Sequence, residues 1–235
     1  MPQTDLEGVK ISYTVRESNE ASNARIDFNR GSVKVVIPED AERDPEAMLQ
    51  EKKNWVLRQK REFNQFKRQI PDRSFEEGER FPFLGDQYPV TVNGTGQEIL
   101  DNEIRLSERK VENSGIKTAL EDFYREKAKE IFPKKVDKFR EEVTGAPGDI
   151  YIRDQKTRWG SCTDKQNLNF NWRLLMAPEH VVDYVVVHEL VHLDIKTHDQ
   201  EFWEKVSEIY PRYRESNLWL EEKSARLVLD QEDIR

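Results

Sequence analysis

Hydrophobic and polar residues alternate along the first forty residues of the chain, and this pattern predicts β-strands. The segments VKISYTVRES (residues 9–18) and ARIDFNRGSVKVVIPE (residues 24–39) are both rich in Val, Ile, Tyr and Phe. The tetrapeptide NRGS within the second segment is a turn signal between two alternating runs. We therefore expect a β-hairpin there.

A long amphipathic helix is predicted after these strands. Asp44, Pro45 and Glu46 are typical of a helix start, with Asp as N-cap and Pro at the first helical position. From Met48 to Ile70, apolar residues recur at helical spacing. The opposite face is basic, which is typical of a solvated surface and is also compatible with binding of phosphate groups or nucleic acid. Its basic residues are Lys52, Lys53, Arg58, Lys60, Arg61, Lys67 and Arg68.

The middle of the chain predicts further strands and then a second helix. Residues 80–108 contain short apolar runs, with turn signals at Gly85 and at NGTG (residues 93–96). The polar stretch SERKVENSGIK (residues 107–117) is the best candidate for a domain boundary, and residues 119–143 show helical spacing. We therefore divide the chain into a strand-rich region with one long amphipathic helix, residues 1–110, and a second region, residues 111–235.

The last third of the chain combines short strands with an unusually apolar helix. The strand NLNFNW alternates, so that Leu168, Phe170 and Trp172 share one face while Asn169 and Asn171 lie on the other. After Pro178, the helix is apolar nearly all round, which is typical of a helix buried inside a domain. A buried helix that also carries two histidines and a glutamate requires a chemical reason.

The histidines of this helix have the spacing of metal ligands. His188 and His192 are four residues apart, which places both imidazoles on one face of a helix, with Glu189 beside them. His-Glu-x-x-His on a helix is the zinc protease signature, in which two ligands accompany a carboxylate that acts on the metal-activated water. His180 lies about 18 Å along the helix from His192, at 1.5 Å per residue, and we do not expect it to be a ligand.

A catalytic zinc ion needs a third protein ligand that leaves one position open. His198 is our candidate, because the five residues after His192 allow the helix to end and the chain to turn back. Thr197 and Gln200 form a possible capping box for the next helix. The rival ligands are Glu204 and Glu208. In metzincin peptidases a glycine lies midway between the last two histidines, but Ile195 occupies that position here.

Composition and charge limit the classes of partner. The formal net charge is −8, so the chain is not a general binder of polyanions, although a local basic face is compatible with nucleic acid. Cys162 is the single cysteine, and the N-terminal sequence MPQTDLEGVK has no signal pattern. The apolar stretch at residues 181–187 is too short for a membrane span. We expect a cytoplasmic protein that has no membrane partner; its oligomeric state is left open.

Several motifs resemble the YgjP-like metallopeptidase family, which is related to the SprT-like and WLM zinc peptidases. They are TRWGSCTDKQNLNFNWRLLMAPEHVVDYVVVHELVHL, then THDQEFW, then YPRYRESNLWL. The resemblance is strong over the last third of the chain. It extends weakly upstream through FPFLGDQYPV and ALEDFYREKAKEIF.

The resemblance implies an α+β fold with a zincin-like core, consisting of a small sheet and an active-site helix, preceded by an N-terminal β-rich extension. It implies one Zn²⁺ per chain, bound by His188, His192 and His198, with Glu189 as the catalytic base. Possible substrate-binding or supporting residues are Arg158, Trp159, Asn169, Asn171, Arg173 and Arg214. The three arginines are candidates to stabilise an oxyanion or to pair with acids. Cys162 is more typical of a small buried residue than of an extra ligand.

Three functions are compatible with these features. The first is a zinc metallopeptidase that binds an extended peptide or protein segment along a strand edge near Trp159 and Asn169. The second is a zinc hydrolase of nucleotide phosphoanhydrides that uses the same site. The third is a non-catalytic binding module that uses the basic face of residues 52–68, but the intact Glu189 argues against it.

Overall fold

The fold is described from a computed structural model of the chain, which covers residues 1–29, 31–93, 96–155 and 158–234. Within these residues, six α-helices combine with three small sheets, which confirms the predicted α+β class. The chain forms two compact units. The first comprises Met1–Ile70 and the residues from Gln231 onward, and the second comprises Pro71–Asp230.

The first unit contains a four-stranded sheet in the order β1-β2-β4-β3. Its strands are β1 (Gln3–Leu6), β2 (Val9–Ser18), β3 (Arg25–Asn29) and β4 (Ser32–Pro38). β3 and β4 pair antiparallel, which confirms the predicted hairpin, whereas β2 and β4 pair parallel. Residue Arg30 of the hairpin's turn signal lies outside the described residues.

Two helices follow this sheet where the spacing predicted one. α1 (Pro45–Glu51) begins after Asp44, whose side chain accepts hydrogen bonds from the backbone N–H groups of Glu46 and Ala47, as predicted. Lys52 leaves helical geometry (φ −100°, ψ 18°), and α2 (Lys53–Gln69) begins directly after it. The apolar faces of both helices join one core with the sheet, through Leu49 of α1 and Val56 of α2.

The second unit begins with a sheet in the order β5-β6-β8-β7. Its strands are β5 (Arg80–Phe83), β6 (Asp86–Val92), β7 (Glu98–Leu100) and β8 (Glu103–Leu106). The β5–β6 turn contains Leu84 and Gly85, both at positive φ (51° and 107°), which is the backbone conformation that tight hairpins require. The second predicted turn includes residues 94 and 95, which lie outside the described residues.

Helix α3 (Glu108–Phe139) begins inside the polar stretch that suggested a domain boundary. Gly115 interrupts it with non-helical geometry (φ 80°, ψ 165°), and the part after Gly115 carries the apolar face. Ile104 of β8 and Leu120 of α3 are buried in the same core, so this stretch lies within the second compact unit. The division of the chain into residues 1–110 and residues 111–235 stays a prediction.

The third sheet lies in the last part of the chain, in the order β10-β11-β9. Its strands are β9 (Ile150–Arg153), β10 (Gly160–Cys162) and β11 (Leu168–Asn171). β11 is central, parallel to β9 and antiparallel to β10, so β10 forms one edge. The helices α4 (Glu179–Val191), α5 (Gln200–Ile209) and α6 (Tyr213–Lys223) complete the unit. No helix in the described ranges has the length and apolar character that a membrane span needs.

Candidate metal centre

Helix α4 is the buried helix that the apolar pattern predicted. Ten of its side chains, from Val181 to Val191, are buried in the core of the second unit. Asp183 is the one acid among them besides Glu189, and it contacts Lys135 at 2.5 Å and Lys138 at 2.8 Å, both on α3. Apolar packing and these ion pairs therefore hold α4 in place.

The three histidines that the sequence singled out converge through their Nε2 atoms. The Nε2 of His198 lies 3.0 Å from that of His188 and 3.1 Å from that of His192. Together they form a group of potential ligand atoms that lie within 4.8 Å of one another. Tetrahedral zinc binds imidazole nitrogen at about 2.0–2.1 Å, which places neighbouring nitrogens about 3.3 Å apart. The donor set therefore fits Zn²⁺.

The turn after α4 brings His198 back to the other two histidines. The side chain of Asp199, not that of Thr197, is the N-cap of α5: it accepts the N–H of Phe202 and the hydroxyl hydrogen of Thr197. The predicted capping box was therefore wrong. The N-cap lies two residues after Thr197, at Asp199, whose carboxylate accepts the backbone hydrogen bond. His198 lies just before the helix, and the Phe202 ring packs 4.8 Å from its own.

The surroundings of His188 and His192 favour their neutral forms, and a hydrogen bond orients the ring of His192. Burial, reinforced by the neighbouring imidazoles of His192 and His198, lowers the pKa of His188 to about 3. Burial also lowers the pKa of His192. The Nδ1 of His192 lies 2.9 Å from the carbonyl oxygen of Ile195, so Nδ1 carries the proton and Nε2 keeps its lone pair. Neutral imidazoles with free Nε2 atoms are the form that binds a metal.

Glu189 is a buried carboxyl group beside this cluster. It is 5% exposed, and within the described residues its Oε2 has no hydrogen-bond partner. Burial raises its pKa to about 8, although the backbone N–H of Cys162 and the charge of Arg158 act in the opposite direction. A Cβ built on Gly160 would lie 2.6 Å from Oε1 of Glu189, so β10 packs directly on the carboxylate.

Two of the remaining predicted residues, Arg158 and Trp159, lie at the metal centre. Arg158 lines a cleft of about 500 Å³ together with the three histidines and Glu189. It also lines an adjoining pocket of about 380 Å³, to which Trp159 contributes. The same cleft contains Cys162, which is partly buried rather than enclosed in the core, and Lys196, whose Nζ lies 3.7 Å from the Cys162 sulfur.

Asn169 and Asn171 make hydrogen bonds to the backbone of the segment that carries Arg158 and β10. Both are buried in the central strand β11. The amide of Asn169 donates to the carbonyl of Ser161, and that of Asn171 donates to the carbonyls of Gln155 and Arg158. Because β11 is paired on both sides, the idea of a free strand edge at Asn169 was wrong. Among the described residues, β9 and β10 are the edge strands of this sheet, and β10 is the one whose residues line the cleft.

Arg173 and Arg214 lie away from the histidines and line neither cleft. Arg173 pairs with Asp154 and packs 4.2 Å from the ring centroid of Trp172. Arg214 is exposed and donates to the hydroxyl of Tyr213. Neither contact supports a role in oxyanion stabilisation. For Arg173, the structure has the alternative role, pairing with an acid.

The rival ligands and the fourth histidine do not belong to the cluster. Among the described residues, the potential metal-binding group contains neither Glu204 nor Glu208. Glu204 instead accepts a hydrogen bond from Gln200. His180 lies in the first turn of α4, where its carbonyl accepts the hydroxyl of Ser216.

The sequence patterns did not indicate three polar residues that line the adjoining pocket: Tyr184, Asn217 and Glu221. Tyr184 lies four residues before His188 and therefore on the same helix face, a signal that could have found it. No local pattern could have placed Asn217 and Glu221 there, because they lie on a different helix.

A model of the family described as YgjP-like, metallopeptidase domain, matches residues 22–223 of this chain. The chain belongs to the YgjP-like metallopeptidase family. Neither a curated protein nor a solved structure matches it. Membership supports a metal-dependent peptidase in general terms, and the three converging histidines are a group that could hold the metal.

Proposed function

We propose that this YgjP-like protein is a zinc-dependent peptidase in which His188, His192 and His198 bind one Zn²⁺ and Glu189 is the general base. One observation carries the proposal. The Nε2 atom of His198 lies 3.0 and 3.1 Å from those of His188 and His192, next to a buried carboxylate whose Oε2 has no partner among the described residues. A purely structural zinc site has no use for such a carboxylate.

Bound zinc supplies a positive charge that acidifies a coordinated water molecule and polarises a substrate carbonyl. Glu189 accepts the proton of the attacking water at its free Oε2 and later delivers it to the leaving amine. The carboxylate must be ionised for this role. Burial opposes ionisation by raising the pKa to about 8, the positive charge of Arg158 favours ionisation, and the charge of a bound Zn²⁺ would favour it further. Gly160 keeps β10 close to the carboxylate and so restricts its rotation.

The free edge of β10 supports a peptide as the substrate. Among the described residues, β10 pairs with β11 alone, and it lies against Glu189 through Gly160. An extended peptide can add to such an edge through main-chain hydrogen bonds. Its scissile carbonyl would then lie close to the three histidines.

The alternative, hydrolysis of nucleotide phosphoanhydrides, has one observation in its favour. Arg158 and Lys196 both line the cleft with the histidines, and cationic groups stabilise phosphate charge. The negative charge of Asp164 in the same cleft counteracts the positive charge of Arg158 and Lys196. The binding-module function has less support, since Lys53 and Arg58 of the basic face already pair with Glu7 and Glu62.

The test is to measure metal content and hydrolysis on one sample of the full chain. We expect one zinc per chain, hydrolysis of members of a peptide library, and loss of both after chelation. The same zinc-loaded sample should leave nucleoside triphosphates intact. Turnover of triphosphates without peptide hydrolysis would replace the proposal with its alternative, and a zinc-loaded protein inactive on both would remove the enzyme assignment.

A further inference from the structure

The pocket beside the metal centre is built from three different elements. Its volume is about 380 Å³, and it shares His188 and Glu189 with the centre. The side chains of Trp159, Val185 and Leu220 supply apolar surface. Its remaining polar wall comes from residues of α4 and α6 that the proposed mechanism does not use.

A chain of hydrogen bonds along that wall fixes one carboxylate in place. The Tyr184 hydroxyl donates to Oδ1 of Asn217 at 3.2 Å, and Nδ2 of Asn217 donates to Oε1 of Glu221 at 2.7 Å. The hydroxyl is the donor of this bond, because an amide oxygen can only accept. Because both ends of the Asn217 amide are engaged, the orientation of the Glu221 carboxylate is restricted.

Among the described residues, the exposed carboxylate of Glu221 has no ion-pair partner, whereas Glu215 on the same helix pairs with Arg212 at 2.9 Å. Its second carboxylate oxygen, Oε2, accepts no hydrogen bond from any described residue. An oriented acid of this kind is suited to bind a cation.

Opposite charges line opposite ends of the pocket. Arg158 also lines the cleft that contains all three histidines, but Glu221 does not line that cleft. The positive charge therefore lies towards the metal centre, and the negative charge lies away from it. Tyr184 and Asn217 separate His188 from Glu221 along the wall, so a group must extend from the centre to reach Glu221.

We propose that this pocket receives a lysine or arginine side chain of the peptide substrate, with its cationic end at Glu221. The methylene stem would lie on the apolar surface of Trp159, Val185 and Leu220, as such stems do when the charged head reaches a polar site. A charge-assisted hydrogen bond to Oε2 would then select the cation. This inference rests on the proposed peptidase function, since it names the substrate class of the same site.

Binding to the metal-free full chain tests the pocket without any catalysis. The probes are N-acetylated, C-amidated pentapeptides that carry lysine, norleucine or glutamate at one position, with binding measured by titration calorimetry. We expect the lysine peptide to bind roughly 10-fold to 100-fold more tightly than the norleucine peptide, as one charged hydrogen bond provides. Glu221→Gln should remove this difference, and Glu222→Gln, at a neighbouring position that is equally exposed but does not line the pocket, should keep it.

Three binding results would overturn the inference. They are equal or absent binding of the lysine and norleucine peptides, tighter binding of the glutamate peptide, and a lysine preference that Glu221→Gln leaves unchanged. A second set of the same peptides with free α-amino groups distinguishes a cationic side chain from a cationic chain terminus. If only those peptides bind, the pocket recognises a chain terminus and the side-chain assignment is wrong.

Hydrolysis of the same peptides by the zinc-loaded protein separates this inference from the proposed function. A lysine preference in kcat/KM that Glu221→Gln abolishes supports both. Selective binding of the lysine peptide without hydrolysis of any peptide contradicts the peptidase function and leaves the cation pocket standing. Hydrolysis that ignores the lysine contradicts the pocket and leaves the peptidase function standing.

Discussion

Gly160 and Glu189 are so close that a single added carbon atom would collide with the carboxylate. A Cβ at Gly160 would lie 2.6 Å from Oε1, 2.7 Å from Cγ and 2.9 Å from Cδ of Glu189. Real Cβ atoms do not approach heavy atoms so closely, so the glutamate would have to move. The glycine of the TRWGSC motif thus belongs to the environment of the proposed base.

The Gly160→Ala substitution should therefore reduce hydrolysis while the protein stays folded and keeps its zinc. We expect a loss of at least about 10-fold in kcat, since the base is displaced from its position by the new methyl group. Gly96→Ala is the matched control, because a Cβ there meets no atom within 4 Å. Full activity of Gly160→Ala would show that the position of Glu189 is not critical.

His198→Ala should remove most of the bound zinc, because two imidazoles on one helix do not complete the ligand set of a catalytic site. Zinc per chain, measured by mass spectrometry after dialysis, gives the readout. His180→Ala serves as the control, since His180 is absent from the ligand group, and it should keep the full zinc content. Full zinc occupancy in His198→Ala would mean that the third ligand is a different residue, such as the acid Glu204 or Glu208.

Glu189→Gln should retain zinc and lose hydrolysis. The amide keeps the shape of the side chain but cannot accept the proton, so we expect a decrease of about 10² to 10⁴ in kcat, as for other lost general bases. The free energy of unfolding should hardly fall, because Oε2 makes no hydrogen bond with a described residue. Normal turnover would exclude Glu189 as the base, and a loss of zinc would show that it maintains the metal site.

Cys162→Ser should leave the zinc content unchanged. Cys162 lines the cleft but is not part of the ligand group among the described residues. Burial raises the pKa of its thiol, although Lys196 opposes this effect, so the thiolate that zinc prefers is disfavoured. A clear decrease in bound zinc after the substitution would establish Cys162 as a ligand.

Asp154 gives a prediction for the acid dependence of stability. Burial alone would raise its pKa, but the guanidinium groups of Arg173 and Arg125 lower it below the usual value of 3.8. With its pKa lower in the folded state, the ionised carboxylate contributes stability above about pH 4, and this contribution is lost as the pH falls through the folded pKa.

Asp154→Asn should accordingly reduce the free energy of unfolding at pH 7 by about 1 kcal/mol or less, since the side chain is 37% exposed. Urea unfolding at pH 7 and at pH 3 measures the difference, which should shrink at the lower pH. The control is Asp27→Asn, because the Asp27–Arg25 pair is more exposed, with 43% of the Asp27 side chain accessible. A difference that stays constant with pH would exclude the ion pairs as its cause.

The sequence by itself determined the ligand spacing and most of the elements that carry it. His188 and His192 share a face because an α-helix repeats every 3.6 residues, a property of the local backbone. The buried character of α4, the hairpin of the first unit and the Asp44 cap follow from equally local patterns. Local patterns were less reliable where one residue decided the outcome, as at Lys52, which separates α1 from α2.

Only the tertiary structure decided which side chains meet across elements. Three relationships join different elements of the chain: the close approach of Gly160 to Glu189, the pairing of β11 with both β9 and β10, and the hydrogen bond from Tyr184 to Asn217. Such contacts depend on how whole strands and helices pack, and the sequence period of any one element is compatible with many partners. The candidate ligands could therefore be named from the sequence, whereas the surroundings of Glu189 and the pocket beside it required the fold.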